Sequence, residues 1–268
     1  MDDAIEAAVE RVINAMRENL GEQITMDDMA RTAMFSKFHF SRIFLRVTGI
    51  SPGRFLSALR LQEAKRLLLT TSMPVADISH VVGYNSIGTF SSRFRFSVGV
   101  SPSEYRQYNG LVTPLSAPEP GGVARPGVVR GNVWSTPGCH PGTVMIGLFA
   151  GRIAQGMPVR HVTREGIGPF EIDDVPSGSW HVLAHSVRDD YEARNEDSNA
   201  GPTYMAAYGP VDVSPTGTTE DGFDMWLRTP QIFDPPALLA HLDHRVLAVT
   251  TTGTWVPDRV DESTLSGA

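Results

Sequence analysis

The sequence predicts an α+β protein of two domains, an all-α double helix–turn–helix domain followed by an all-β sandwich. Apolar residues recur at helical spacing through residues 1–110, whereas residues 128–256 carry short apolar runs bounded by Gly, Pro and Asp. Between these domains, residues 111–127 are rich in Pro, Gly, Ser and Thr, which indicates a linker. Residues 257–268 are expected to form a frayed tail.

One pattern of residues occurs twice in the first domain. From Ser36 to Pro52 the first copy aligns without gaps on the residues 50 positions later. Both copies carry Phe four and eight residues after the Ser, and both end in Gly-x-Ser-Pro. The two predicted helix–turn–helix units cover about 26–50 and 74–99. A duplicated unit of this kind implies a protein that reads a repeating polymer, and DNA is the obvious candidate.

Capping residues set the predicted helix boundaries in both copies. Ser36 is a favourable N-cap, Gly49 ends the following helix, and Ser51-Pro52 marks the start of the next one. The predicted helices cover 3–19, 27–33, 37–47, 52–70, 74–82, 86–97 and 102–108. The predicted strands of the second domain cover 144–149, 159–163, 170–175, 180–187, 204–208, 223–228 and 246–250.

The charge of the chain is distributed unevenly. The net charge is −7, which by itself argues against a nucleic-acid partner. However, residues 29–110 carry eleven Lys and Arg against three Asp and Glu, whereas residues 111–268 carry ten Arg against nineteen acidic residues. A basic block of this kind is the electrostatic footprint of a protein that binds a polyanion.

Other classes of protein are disfavoured by what the sequence contains. The single Cys139 cannot form an internal disulfide and fits a reducing compartment, and no apolar run approaches the ~20 residues that span a bilayer. We therefore expect a cytoplasmic protein without a membrane partner. Neither a Gly-x-Ser-x-Gly nor a P-loop pattern is present, and the pair His181 and His185 has no second pair at a tight spacing. The sequence thus predicts no enzyme activity, no cofactor and no metal site.

At the residues of the repeat the chain closely resembles the DNA-binding domain of AraC/XylS transcription regulators, over about 8–108. The matching motifs are Ser36-Lys37-x-His39-Phe40-x-Arg42-x-Phe44, Ile78-x(3)-Val82-Gly83-Tyr84 and Gly99-Val100-Ser101-Pro102-x(2)-Tyr105-Arg106. The resemblance implies base contacts from one group of side chains, Phe38, Ser41, Arg42, Ile87, Gly88, Thr89 and Ser92. It implies backbone contacts from another group, Lys37, Arg46, Arg93 and Arg95, and Ser86 lies on the same outward face.

The two copies are not equivalent as readers of DNA. The second recognition helix begins with Ile87-Gly88, which offers almost no hydrogen-bonding capacity. We therefore expect the first unit to discriminate bases and the second to anchor the protein through phosphates. Alternatively, Phe38 belongs to the core, Arg93 and Arg95 are solvated surface residues, and His39 is a packed or capping residue.

The second domain is less informative. A run that includes Gly166-x-Gly168-Pro169-Phe170 resembles the transthyretin-like sandwich, a regulatory module of some carboxypeptidases, over about 130–230. All four Trp lie in this half of the chain, either as core residues or as walls of a pocket for an apolar or sugar-like effector. Most AraC/XylS regulators carry their DNA-binding domain at the other end of the chain, so nothing about their usual sensor domain transfers to this one.

Taken together, the sequence predicts a transcription regulator that reads two successive major grooves of DNA with paired recognition helices. Its expected partners are double-stranded DNA, RNA polymerase and a small-molecule effector in the C-terminal β-domain. Two alternatives remain open at this point. In one, the β-domain is catalytic and DNA binding localises it; in the other, the protein is an architectural DNA binder without a sensing function.

Overall fold

The computed structural model describes residues 2–112, 127–188, 204–214 and 222–243. Within these ranges the chain forms seven α-helices followed by seven β-strands. The helices are α1 (Asp2–Glu18), α2 (Met26–Ala33), α3 (Lys37–Thr48), α4 (Pro52–Thr70), α5 (Val75–Val81), α6 (Ile87–Val98) and α7 (Pro102–Gln107). The strands are β1 (Gly127–Ser135), β2 (Pro141–Phe149), β3 (His161–Glu165), β4 (Gly168–Val175), β5 (Gly178–Arg188), β6 (Tyr204–Val213) and β7 (Phe223–Leu227).

All seven predicted helices agree with the structure to within one residue at each end, and local capping explains several of these boundaries. Thr25 caps α2 in a reciprocal capping box with Asp28, and Ser36 caps α3 by accepting a hydrogen bond from the backbone N–H of His39. Gly49 and Gly99 end α3 and α6 in the left-handed conformation, which costs glycine little. These signals are local, so the sequence alone is sufficient to place them.

The helical part has an aromatic core that repeats with the sequence. In the first unit the rings of Phe40, Phe44 and Phe55 form a chain of edge-on contacts at 5.5–5.6 Å. In the second unit Phe94 connects Phe90 to Tyr105, both at 5.7 Å. Helix α4 links the units and is buried along most of its length. The two helix–turn–helix units are therefore parts of one packed structure.

The C-terminal part is rich in β-structure and contains two sheets. One sheet has the strand order β4-β1-β7, in which β1 is antiparallel to β4 and parallel to β7. The other is antiparallel throughout, with the order β3-β2-β5-β6. A single hydrophobic cluster takes side chains from both sheets, including Val133 from β1, Ile146 from β2 and Val182 from β5.

The four-stranded sheet is buried on its other face as well. There Met145, Phe149 and Leu183 pack against a second cluster that contains Leu239 and Leu242. The next residues along this layer, which include Ile153, Leu238 and Ala240, belong to the core of the helical part. The β-rich region and the helical part therefore share buried contacts, which is not what a freely tethered domain would show.

Several predictions for the C-terminal half need correction. Strand β1 lies outside the predicted strands, and its first residue, Gly127, falls within the predicted linker. At the other end of that linker Val112 is buried against the helical core. The rest of the linker, the seventh predicted strand at 246–250 and the tail at 257–268 lie outside the described residues. Among the described helices, none is long and apolar enough to cross a bilayer.

Candidate nucleic-acid interface

The predicted DNA-contacting side chains lie on the outward faces of α3 and α6. Phe40 and Phe44 on α3, and Phe90 and Phe94 on α6, are completely buried, which turns the polar faces of both helices to the surface. Eleven of the twelve predicted contact residues are exposed, and the twelfth, Ser41, is half-buried. The structure therefore presents all of them as two separate surface patches, one on each recognition helix.

In the first unit the structure decides between the two interpretations of Phe38. Its side chain is 75% exposed, so the core interpretation was wrong. The guanidinium of Arg42 lies over the Phe38 ring, 5.8 Å from its centroid, in a cation–π contact. An aromatic ring and an Arg held together in this way can meet a thymine methyl and an adjacent guanine.

Lys37 is positioned by an ion pair with α2. Its Nζ lies 2.7 Å from Asp27 Oδ1, and both side chains are more than half exposed. An exposed pair of this type contributes little to stability, so Lys37 can exchange it for a phosphate oxygen at small cost. The His39 ring is exposed and lies edge-on to the ring of Phe35, with the two centroids 5.0 Å apart.

In the second unit the start of the recognition helix is open. A Cβ added to Gly88 would approach only Ser86 Oγ, at 3.7 Å, and Ile87 is 47% exposed. Ser86 accepts the N-cap hydrogen bond from the backbone N–H of Thr89 at 3.4 Å, so its hydroxyl already has a structural role. The exposed Arg93 and Arg95 are the cationic groups of this face.

The β-rich region contacts the opposite, C-terminal ends of both recognition helices, which sequence analysis did not predict. At α3, Arg152 packs so closely on Gly49 that a Cβ there would collide with its guanidinium. At α6, the Ser97 carbonyl accepts a hydrogen bond from the backbone N–H of Gly156 at 2.9 Å, and the Ser97 hydroxyl donates to Gln155 Oε1 at 3.3 Å. Cations are favourable at helix C-termini, which explains the position of Arg152. This segment leaves the N-terminal ends of both helices, where the base contacts are predicted, uncovered.

The tryptophans and histidines of the β-rich region differ in part from expectation. Trp134 and Trp226 stack on each other at 6.0 Å and are 38% and 55% exposed, so a core role was wrong for both. Trp180 is half-buried and donates to the Pro176 carbonyl at 2.9 Å, while Trp255 lies outside the described residues. Within the described ranges, no group of three or more His, Cys, Asp or Glu is arranged to hold a metal ion.

The helical part of the chain is similar to proteins of known family. The family model described as a helix-turn-helix domain matches residues 29–108. The transcriptional activator AarP of Providencia stuartii is 34% identical over 35% of this chain and 73% of its own length. The chain belongs to the AraC family of helix–turn–helix transcription regulators. The lactose operon transcription activator of Staphylococcus xylosus is 30% identical, over 40% of this chain and 38% of its own length.

Each of these two matches covers at most 40% of this AraC-family chain. Among solved structures, the DNA-binding domain of AdpA in complex with a target DNA is 31% identical, covers 37% of this chain and 90% of that chain, and has a TM-score of 0.37. The two relatives named above are transcription activators, the class of protein that the sequence predicted here. This chain spans less than half of the length of the Staphylococcus protein.

Proposed function

We propose that this AraC-family regulator binds a specific DNA site by placing the N-terminal turns of α3 and α6 in two successive major grooves. The observation that carries the proposal is the exposure of the predicted contact residues on both helices, with the β-rich region on the opposite helix ends. Helix α4 has 19 residues and spans about 28 Å at ~1.5 Å per residue, close to the ~34 Å of one DNA turn. One chain then supplies the two recognition helices that a dimeric regulator takes from two chains.

The roles of the two units follow from their side chains. Arg42 offers bidentate hydrogen bonds to guanine, and Phe38 and Ser41 complete a surface that distinguishes base edges. The second unit begins with Ile87 and Gly88, so Arg93 and Arg95 contribute mainly through phosphates. We therefore assign sequence discrimination chiefly to the first unit and anchoring to the second.

The β-rich region is proposed to be a module that binds an effector or partner and acts on the recognition helices. Its 150–156 segment contacts both helices, so displacement of this segment would remove contacts from both of their C-terminal ends. The core shared by its two sheets supports a face-to-face sandwich, and the transthyretin-like resemblance stays a prediction. RNA polymerase is the expected second macromolecular partner, and the domain boundaries at 110 and 128 are likewise proposals.

Selection of binding sites from random duplex DNA, with the full chain, tests this function. The expected sites contain one strongly selected block of bases, read by the first unit, and a weakly selected block about 10 base pairs away from centre to centre, at the second unit. Two equally strong blocks would contradict the assignment of discrimination to the first unit, and a DNA footprint of only one helical turn would contradict binding by both units. Recovery of bound DNA without any preferred bases would instead identify an architectural DNA binder.

Arg42→Ala is expected to weaken binding to the selected site by about 1–3 kcal/mol and to relax specificity at one base position. The reason is the loss of bidentate hydrogen bonds to a base edge, which random DNA does not provide in the same register. Fluorescence anisotropy titrations with the selected site and with each single-base variant measure both effects. Arg11→Ala, an exposed Arg on α1, is the matched control and should leave binding unchanged. Equal loss of affinity on every sequence would argue against base recognition by Arg42.

Arg95→Ala is expected to weaken binding uniformly on all sequences. If Arg95 neutralises one phosphate, the slope of log K against log salt concentration becomes shallower by about 0.9. The same titrations at a series of salt concentrations measure that slope. A slope identical to that of the parent protein would show that Arg95 makes no phosphate contact.

A further inference from the structure

A cavity of about 290 Å³ lies between the β-rich region and the helical part. Arg17 from α1 and Gln62 from α4 form one wall, and His185 and Met205 from β5 and β6 form another. The remaining wall is the 230–237 segment that follows β7. Small-molecule sites commonly have volumes from about 300 Å³ upward and often lie between domains, so the cavity suits a small ligand.

The most unusual group in the cavity is the imidazole of His185. Its side chain is 3% exposed, and Nδ1 has no hydrogen-bond partner among the described residues. Burial lowers the pKa of His185 to about 4, against a smaller opposing influence of Asp234, so the ring is neutral at physiological pH. A buried polar atom without a partner is unfavourable, and a ligand that supplies the missing hydrogen bond would relieve that cost.

The charges around the cavity favour an anion. The Asp234 carboxylate is already engaged, because it accepts two hydrogen bonds from Arg228, at 2.6 and 2.8 Å, and one from the Gln231 backbone at 2.6 Å. Arg17 is exposed at the rim and forms no ion pair in the part of the chain that the structure describes. Met205 and the prolines of the 230–237 segment make the remaining lining largely apolar.

We propose that this cavity binds a small hydroxycarboxylic acid with an apolar body, whose carboxylate pairs with Arg17 and whose hydroxyl bonds to Nδ1 of His185. A hydroxyl suits His185 because it can donate or accept, whichever ring nitrogen carries the proton. This inference rests on the proposed function in one respect, because the bound acid would be the effector of the β-rich region.

The walls of the cavity connect a ligand to the recognition helices. The 230–237 segment continues into Leu238 and Leu239, whose backbone N–H groups both donate to the Ala154 carbonyl, at 2.9 and 3.0 Å. Ala154 lies in the 150–156 segment that contacts the C-terminal ends of α3 and α6. A ligand held by both walls therefore stabilises one placement of the β-rich region. If that placement alters the affinity for DNA, then by linkage binding of the ligand must alter the affinity for DNA as well.

The test uses 4-hydroxybenzoate as the probe, with 4-hydroxybenzamide and benzoate as controls that lack the carboxylate charge or the hydroxyl. The imidazole resonances of the full chain are followed by ¹⁵N NMR, and those of His185 are identified by their loss in His185→Gln. We expect 4-hydroxybenzoate to shift the His185 resonances, and each control compound to bind at least about fivefold more weakly, since each forfeits one of the two polar contacts. No shift at His185 at probe concentrations up to the solubility limit overturns the site.

Two variants separate the site from a general effect of the acid. Arg17→Gln should weaken 4-hydroxybenzoate at least about fivefold, whereas Arg11→Gln on the exposed face of the same helix should not. Equal binding of acid and amide, or an unaffected Arg17→Gln variant, would overturn the carboxylate assignment.

The link to regulation has its own readout. DNA affinity is measured with and without saturating 4-hydroxybenzoate at constant ionic strength, because DNA binding depends steeply on salt. A change of at least about twofold that is absent in Arg17→Gln supports the coupling, and an unchanged affinity overturns it. If the chain binds no DNA sequence specifically, the proposed function fails while the NMR titration still decides the site.

Discussion

Asp243→Ala is expected to lower the free energy of unfolding by about 3–5 kcal/mol, the largest single effect that the structure predicts. Asp243 Oδ1 lies 2.5 Å from Lys65 Nζ on α4, and its Oδ2 accepts a hydrogen bond from the Tyr105 hydroxyl at 2.7 Å. The side chains of the ion pair are only 5% and 8% exposed. Removing the carboxylate leaves the buried Lys65 ammonium without this counter-charge, in contact with the Leu238 carbonyl at 3.1 Å and with the Tyr105 ring, whose centroid is 5.7 Å away.

The measurement is urea unfolding at neutral pH, followed by far-ultraviolet circular dichroism. Glu63→Ala on the same helix is the matched control, because it breaks a surface ion pair with Arg66 and should cost less than about 1 kcal/mol. Adding Lys65→Met to Asp243→Ala should recover part of the loss, since the double variant no longer buries an unpaired charge. A loss for Asp243→Ala no larger than that for Glu63→Ala would contradict the interpretation.

This ion pair also has a consequence for organisation. Lys65 and Asp243 are 178 residues apart, and together with Tyr105 they join the linking helix α4 and the last helix α7 to the segment after β7. Hydrogen bonding and charge are thus satisfied only when the two parts of the chain are docked. A buried pair of this kind adds little net stability but specifies one arrangement, which we infer to be its role here.

The second large effect is a loss of stability at acidic pH that depends on His185. In the folded protein the pKa of His185 is about 4, whereas its ordinary value is 6.5. The unfolded state therefore binds more protons between these two values, and stability falls as the pH is lowered from about 6.5 to about 4. The full contribution is present above pH 6.5 and amounts to about 3 kcal/mol, at ~1.4 kcal/mol per pKa unit.

Unfolding free energies of the parent protein and of His185→Gln, measured across this pH range, test the prediction. The difference between the two curves should shrink or reverse by about 3 kcal/mol toward low pH, because only the parent carries the buried imidazole. His161→Gln is a useful comparison, since burial lowers the pKa of the half-buried His161 as well, but by less. Parallel curves for the parent and His185→Gln would show that His185 is not held neutral by burial.

In the helical part, local sequence patterns are sufficient to predict the helix boundaries and the exposed faces. Its helix ends agree with prediction because caps such as Ser36 and Gly49 act on their own turn of chain. Its outward faces agree because the Phe residues at four and eight positions after each capping Ser leave only one face for the core. The role of each contact residue on DNA stays a prediction.

In the β-rich region, by contrast, the pairing of strands depends on residues that are far apart in the sequence. Strand β1 lies between β4 and β7, and its pairing with β7 joins residues about 90 positions apart, such as Trp134 and Trp226. No local pattern encodes such a partner. The same pairing places both Trp side chains on the exposed face of the sheet, although the size of these apolar side chains suggests a core role.

By itself, the sequence determined that this protein carries two helix–turn–helix units, where each helix begins and ends, and which side chains face outward on α3 and α6. Those properties depend on interactions within a few residues or on a repeat that the chain displays directly. Only the tertiary structure decided that the β-rich region is docked on the C-terminal ends of both recognition helices, that Lys65 meets Asp243, and that His185 faces a cavity. Strand β5 is buried on both faces, so alternation of its residues could not show which neighbour His185 would have. That neighbour is supplied by segments distant in sequence, which meet it only when the whole chain has folded.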